Sequence, residues 1–163
     1  MTAIRPPRLR VPAGVLVHAP AMAPSPASGD PLALVADALD HPLGAAPLAE
    51  AARGKDHVAI VVPDPSRPAA VGTYLLPVLA RLARAGFTPG RIRVVMARGI
   101  QPTADREDVE RTVGREVMQA LRPVQAAPES PEWNAEILQH EELGSVRVHR
   151  VVAEAGLVVL TGD

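Results

Sequence analysis

The chain contains no cysteine, which excludes structural disulfides, thiolate metal sites and thiol nucleophiles. That composition fits the cytoplasm, the expected compartment. Aromatic residues are almost as scarce, with one Trp, one Tyr and one Phe, too few to build the stacking platforms that hold single-stranded nucleic acid. Charge of one sign is lacking as well. The 17 Lys and Arg residues against 18 Asp and Glu leave a net charge of -1, so no overall field draws the chain to nucleic acid or to an anionic membrane; neither is expected as a partner. No apolar run approaches the ~20 residues needed to cross a bilayer, since Val58–Val62 and Leu157–Leu160 have only strand length. Neither a G-x-G-x-x-G nor a G-x-x-x-x-G-K-[ST] string occurs, so the usual dinucleotide and P-loop carriers are missing. The histidines at 18, 41, 57, 140 and 149 include no pair at the i, i+4 spacing of a helical metal site, and no metal site is expected.

What remains is an ordinary globular composition, 47% hydrophobic and 21% charged. A chain of this length matches one domain at ~150 residues per domain, and residues 1–163 are expected to form a single one. Its core has to come from Val, Leu, Ile and Ala. The 18 prolines shorten regular elements and enrich turns. Residues 1–30 are expected to hold a first strand within Leu9–His18 and then a Pro- and Ser-rich loop, Pro20–Asp30. The arginines at 5, 8 and 10 before an apolar stretch faintly imitate a secretory signal, but Pro12, His18 and Pro20 interrupt it, which favours the strand.

Asp30 and Pro31 read as the cap and first residue of a helix carrying Leu32, Leu34, Val35, Ala38 and Leu39. A short helix over Pro47–Arg53 follows. His57–Val62 then reads as a buried strand, and Ala69–Ala85 as an amphipathic helix with Val71, Leu75, Leu76, Leu79, Leu82 and Ala83 on its apolar stripe. Arg81 and Arg84 lie off that stripe, and Pro77 predicts a kink or break. A second strand covers Ile92–Ala97, with helices over Ala104–Val113 and Arg115–Leu121. An irregular stretch rich in Pro, Gln and Glu comes next, before two apolar segments, Val146–Val152 and Leu157–Leu160. Buried strands alternating with helices predict an α/β fold, a Rossmann-like three-layer lobe with a mostly parallel sheet and right-handed crossovers.

In such sheets ligands bind beyond the carboxyl ends of the strands. Three loop tips belong there: Pro63–Pro68, Arg98–Thr103 and Thr161–Asp163. If their strands are neighbours, the tips form one crevice. In the first, Arg67 offers a planar fork for a phosphate or carboxylate, and Ser66 or Arg67 falls near unpaired helix amides. Asp64 can orient Arg67, accept from a ribose hydroxyl or act as a base. The same Asp-Pro-Ser-Arg-Pro run is equally a rigid turn with an Asx bond and a capping serine. In the second tip Gly99 permits close backbone approach, Thr103 reads as a helix cap, and Gln101 has no group that titrates near neutral pH. The acidic run Asp105, Glu107, Asp108 and Glu110 reads as a solvated helix face.

Two ordered strings, Ala38-Leu39-Asp40-His41-Pro42-Leu43-Gly44 with Pro47-Leu48, and Val58-Ala59-Ile60-Val61-Val62-Pro63-Asp64-Pro65-Ser66-Arg67-Pro68, resemble the amino-terminal domain of the lactate racemase family. The likeness continues through Ile92–Ala97 with Gly99, the helix with Glu107 and Glu110 before Val113-Gly114, and Val146–Asp163. The resemblance implies a lobe that takes part in holding a nickel-pincer nucleotide, whose nickel accepts and returns a hydride from a 2-hydroxy acid. It implies that Asp64, Ser66, Arg67 and Gly99 contact the cofactor or the substrate anion. The family's histidine base sits in a Gly-x-His turn after the second strand, where this chain reads Gly99-Ile100-Gln101. A His-Asp pair usual in the family is not evident around Val124–Ala127. The family's second catalytic histidine and the lysine that tethers the cofactor come after the Thr-Gly-Asp segment with which this chain ends.

The expectation is therefore the amino-terminal lobe of a 2-hydroxy acid racemase or epimerase that does not act alone, with no catalytic residue assigned and a carboxy-terminal lobe on the same or another chain as partner. The alternative is a non-catalytic module binding a nucleotide or small anion, favoured by Gln101. A third reading, an assembly partner for another subunit, would be marked by an exposed apolar edge near Leu157–Leu160.

Overall fold

The computed structural model describes residues 29–67 and 69–162; the first strand expected at Leu9–His18 lies outside them. Helix α1 (Pro31–Asp40) starts as its sequence predicts, with the Asp30 carboxylate accepting from the Leu32 N–H at 3.2 Å. A four-residue helix, α2 (Leu48–Ala51), follows. The sheet begins with β1 (Val58–Pro63) and continues through α3 (Val71–Arg84), β2 (Ile92–Ala97), α4 (Arg106–Val113), α5 (Arg115–Leu121) and the short β3 (Val124–Gln125). A hairpin of β4 (Asn134–His140) and β5 (Gly144–His149), the single turn α6 (Arg150–Ala153) and β6 (Leu157–Leu160) complete it.

The strands run in the order β3-β2-β1-β6, every pair parallel, while β4 and β5 pair antiparallel in a sheet of their own. The expected Rossmann-like layering is present. Alternate residues of the two central strands divide the core between the faces. Val58, Ile60, Val62, Ile92, Val94 and Met96 join one cluster with Val71, Leu75, Val78 and Leu82 of α3, Val109 and Val113 of α4, and Val117 and Leu121 of α5. Ala59 and Val95 are buried outside that cluster, and α6 packs against β1 and β2.

Several expectations are corrected. Helix α3 runs unbroken across Pro77, which is buried; the ring removes one backbone donor without ending the helix. Its buried stripe is rotated from the one expected: Leu76 and Ala83 stand exposed, while Arg81 is buried. The cause is α1, which packs on the Arg81 flank. There the guanidinium donates to both Asp40 oxygens at 3.1 and 2.6 Å and to the Ala36 carbonyl at 3.1 Å. The supposedly irregular stretch contains β4, and the Val146–Val152 segment leaves the strand at His149, whose ring accepts from the Val151 N–H at 3.2 Å and caps α6.

Candidate functional site

Parallel pairing in register brings the carboxyl ends of the strands to one edge, with Pro63 beside Ala97, Val61 beside Leu160 and Met96 beside Gln125. Strand order reverses beside β1, the position at which open α/β sheets place their ligands. The three loop tips do form one crevice there. It has two recesses of about 380 Å³ each, both lined by Asp64, Arg98 and Gln101. Ser66, Thr103, Asp105, Asp108 and Gln125 line the first; Arg67, Gly99 and Thr161 line the second.

Asp64 is buried at the end of β1 and folds its own turn. Its carboxylate accepts from the Ser66 N–H at 2.8 Å and from the Ser66 hydroxyl, while the Arg67 N–H donates to the Asp64 carbonyl at 3.1 Å. The Asx turn thus exists, but Ser66 does not cap a helix, because α3 starts only after Ala70 and has no side-chain cap. The Ser66 hydroxyl, followed by the Ser66 N–H and the Arg67 charge, holds the Asp64 carboxyl below its ordinary range, although burial opposes this. Asp64 is an anion at neutral pH. The Arg67 side chain is exposed, and no carboxylate among the described residues pairs with it.

In the second tip Gly99 takes the left-handed conformation at φ +57, which a side chain would strain. Ile100 and Gln101 turn outward, almost fully exposed in the case of Ile100 at 98%. Thr103 caps nothing. Asp105 caps α4 instead, accepting from the Asp108 N–H at 2.8 Å, because the Gln125 amide occupies both backbone groups of Ala104 at 2.9 and 2.8 Å. Two residues that the sequence did not single out shape this crevice, Gln125 and the buried Arg98. Their signal was faint: a polar residue closing a short strand, and an arginine directly after an apolar one. In the third tip Thr161 ties β6 to β1, donating from its hydroxyl to the Val61 carbonyl at 2.8 Å.

The family model described as lactate racemase N-terminal domain matches residues 6–163. The chain belongs to that family. A lactate racemase from Lactiplantibacillus plantarum is 29% identical over 129 residues, a span covering 78% of this chain and 30% of that protein. A solved structure, the lactate racemase apoprotein from Thermoanaerobacterium thermosaccharolyticum, superposes with a TM-score of 0.73 at 20% identity over 80% of this chain and 31% of the other. The chain therefore spans about a third of the length of these relatives, and it shares the fold of their amino-terminal lobe. No helix among the described residues is long and apolar enough to cross a membrane.

Arg67 and the Ser66 turn suit the phosphate end of a metal-bearing nucleotide. For the metal end, no group of three or more His, Asp or Glu lies together among the described residues.

Proposed function

We propose that residues 1–163 form the amino-terminal lobe of a nickel-pincer nucleotide-dependent 2-hydroxy acid racemase or epimerase, working in the cytoplasm with a carboxy-terminal lobe. The observation that carries this is Arg67, an exposed guanidinium on a turn folded by an ionised Asp64, opening into a recess at the switch of strand order. When bound, the group supplies a nickel centre able to accept and return a hydride. The chain's own residues do the holding. Arg67 takes the phosphate or the substrate carboxylate, Ser66 and Asp64 keep the turn in shape, and Gly99 lets a ligand approach the backbone. No proton transfer is assigned to Gln101, whose amide does not titrate. The lobe alone is not active on this reading, the proton steps and the metal ligands being supplied by its partner.

A second reading is favoured by Gln101 itself: it lines both recesses where the related turn is expected to carry histidine, which suits a module that binds a nucleotide or small anion without chemistry. Calorimetric titration with nicotinic acid mononucleotide, a pyridinium mononucleotide, tests the shared claim. Binding that weakens about tenfold in Arg67→Ala is expected, a loss equal to one charged hydrogen-bonded contact. Unchanged affinity in that variant would remove Arg67, and the reading, from the crevice.

A further inference from the structure

The hairpin of β4 and β5 is a two-stranded sheet of its own, and a lone hairpin is at best marginally stable in water. Helix α6 is the joint that ties it to the lobe, packing on both hairpin strands and on β1 and β2. A helix of four residues has no stability of its own, so its start decides whether the joint holds.

That start rests on one side chain. His149 is 8% exposed, and its Nδ1 accepts from the Val151 N–H at 3.2 Å. Nδ1 is therefore the unprotonated ring nitrogen, the atom to which a second proton must go. Charging the ring turns this acceptor into a donor aimed at another donor. It also leaves a buried cation with no counter-ion, since no carboxylate among the described residues pairs with His149.

The surrounding elements supply none. Asn134, opposite His149 on β4, is neutral and donates to the Ala127 and Ser130 carbonyls. Glu136 of β4 takes the Ser145 hydroxyl at 2.5 Å, and Glu154 of α6 pairs with Arg150 at 3.6 Å. Arg147 of β5 and Arg93 of β2 are cations themselves. Glu132, beside the Trp133 ring that stacks on His149, joins no ion pair. Two other histidines are near: His57 leads into β1 and lines a cavity with Val151, and His140 accepts from the Glu142 and Leu143 N–H groups in the exposed hairpin turn.

We propose that His149 is an acid-operated latch: as it takes up a proton the cap of α6 breaks, and α6 and the hairpin leave the sheet while the four parallel strands stay folded. Burial disfavours the charged ring and holds its pKa below the ordinary 6.5, so the docked arm binds fewer protons than the released one. Docking is at full strength above about pH 6.5 and weakens as pH falls from there.

Native-state hydrogen exchange, corrected for intrinsic rates, tests this at about pH 7.5 and about pH 5.5, either side of the ordinary histidine range. Protection of the Val151 and Glu154 amides, bonded to the His149 ring and the Arg150 carbonyl, is expected to fall about tenfold at the lower pH, the effect of losing one cap. Protection in β1 and β2 is expected to hold. His149→Asn supplies a capping side chain that does not titrate and abolishes the dependence; His57→Gln and His140→Gln retain it. His149→Ala, with no cap, gives low protection at both values. Equal protection at both values in the unaltered chain overturns the proposal. So does a loss shared by β1 and β2, which is global unfolding, a dependence that survives in His149→Asn, or full protection in His149→Ala.

Discussion

Replacing Asp64 with asparagine removes a charge from the crevice and leaves an acceptor oxygen in the same place. The lost charge acts through two bonds, from the Ser66 N–H at 2.8 Å and from the Ser66 hydroxyl. Hydrogen bonds to charged acceptors contribute ~1.5–3 kcal/mol and neutral ones ~0.5–1.5 kcal/mol, so the two together lose about 2 kcal/mol. For a domain of this size that lowers Tm by about 4–8 °C. The effect has a pH signature. The native carboxyl is held below its ordinary 3.8, first by the Ser66 hydroxyl. A depressed carboxyl contributes stability that is present above the unfolded pKa and lost as pH falls through the folded one. The gap between the unaltered chain and Asp64→Asn should be full at pH 7, hold to about pH 5 and close in stronger acid. Paired thermal melts followed by circular dichroism measure it. Equal melting at pH 7, or a gap that does not narrow between pH 5 and the acid limit of folding, would refute the assignment of Asp64 as the anion that folds this turn.

Leu75→Ala empties a fully buried position where α3 meets the sheet and should cost ~2–5 kcal/mol, read as a lower urea midpoint at unchanged m. Gln125→Leu strips both partners from Ala104; a loss of ~1–3 kcal/mol and faster hydrogen exchange at the Ala104 amide are expected. Trp133, the single tryptophan, stacks on His149 with ring centroids 6.4 Å apart. Burial pushes the His149 imidazole below its ordinary 6.5, so it charges only under more acidic conditions and folding loses stability as pH falls from about 6.5. Quenching of Trp133 fluorescence should titrate with a midpoint below 6.5 and vanish in His149→Gln.

The order and type of the sheet elements were legible because parallel strands are written as short, mostly apolar runs separated by helical periodicity, and β2, α5 and β6 occupy the spans their sequence predicts. Strand β4 was not legible. It lies mostly exposed, and the irregularity between Glu136 and Leu138 puts Ile137 and Leu138 side by side, breaking the alternation that marks a half-buried strand. The burial of Arg81 was hidden for a different reason, since which flank of α3 is covered depends on where α1 docks, a tertiary fact with no local signal. At the site, Asp64 and Ser66 announced their turn through local chemistry. The start of α4 did not, because it is decided by Gln125, far along the chain, which takes the Ala104 backbone out of the helix.

The position of β6 beside β1 governs the order in which this molecule can be assembled. Thr161 bonds to Val61 across 100 residues of chain, so one side of β1 has no neighbour in the sheet until Leu157–Leu160 has left the ribosome. Through that interval a run of Val and Ile presents unpaired backbone donors and acceptors to any other strand. Such distant pairing slows folding. Leu157–Leu160 seals that side of the sheet, and Thr161 brings the third wall of the crevice with it.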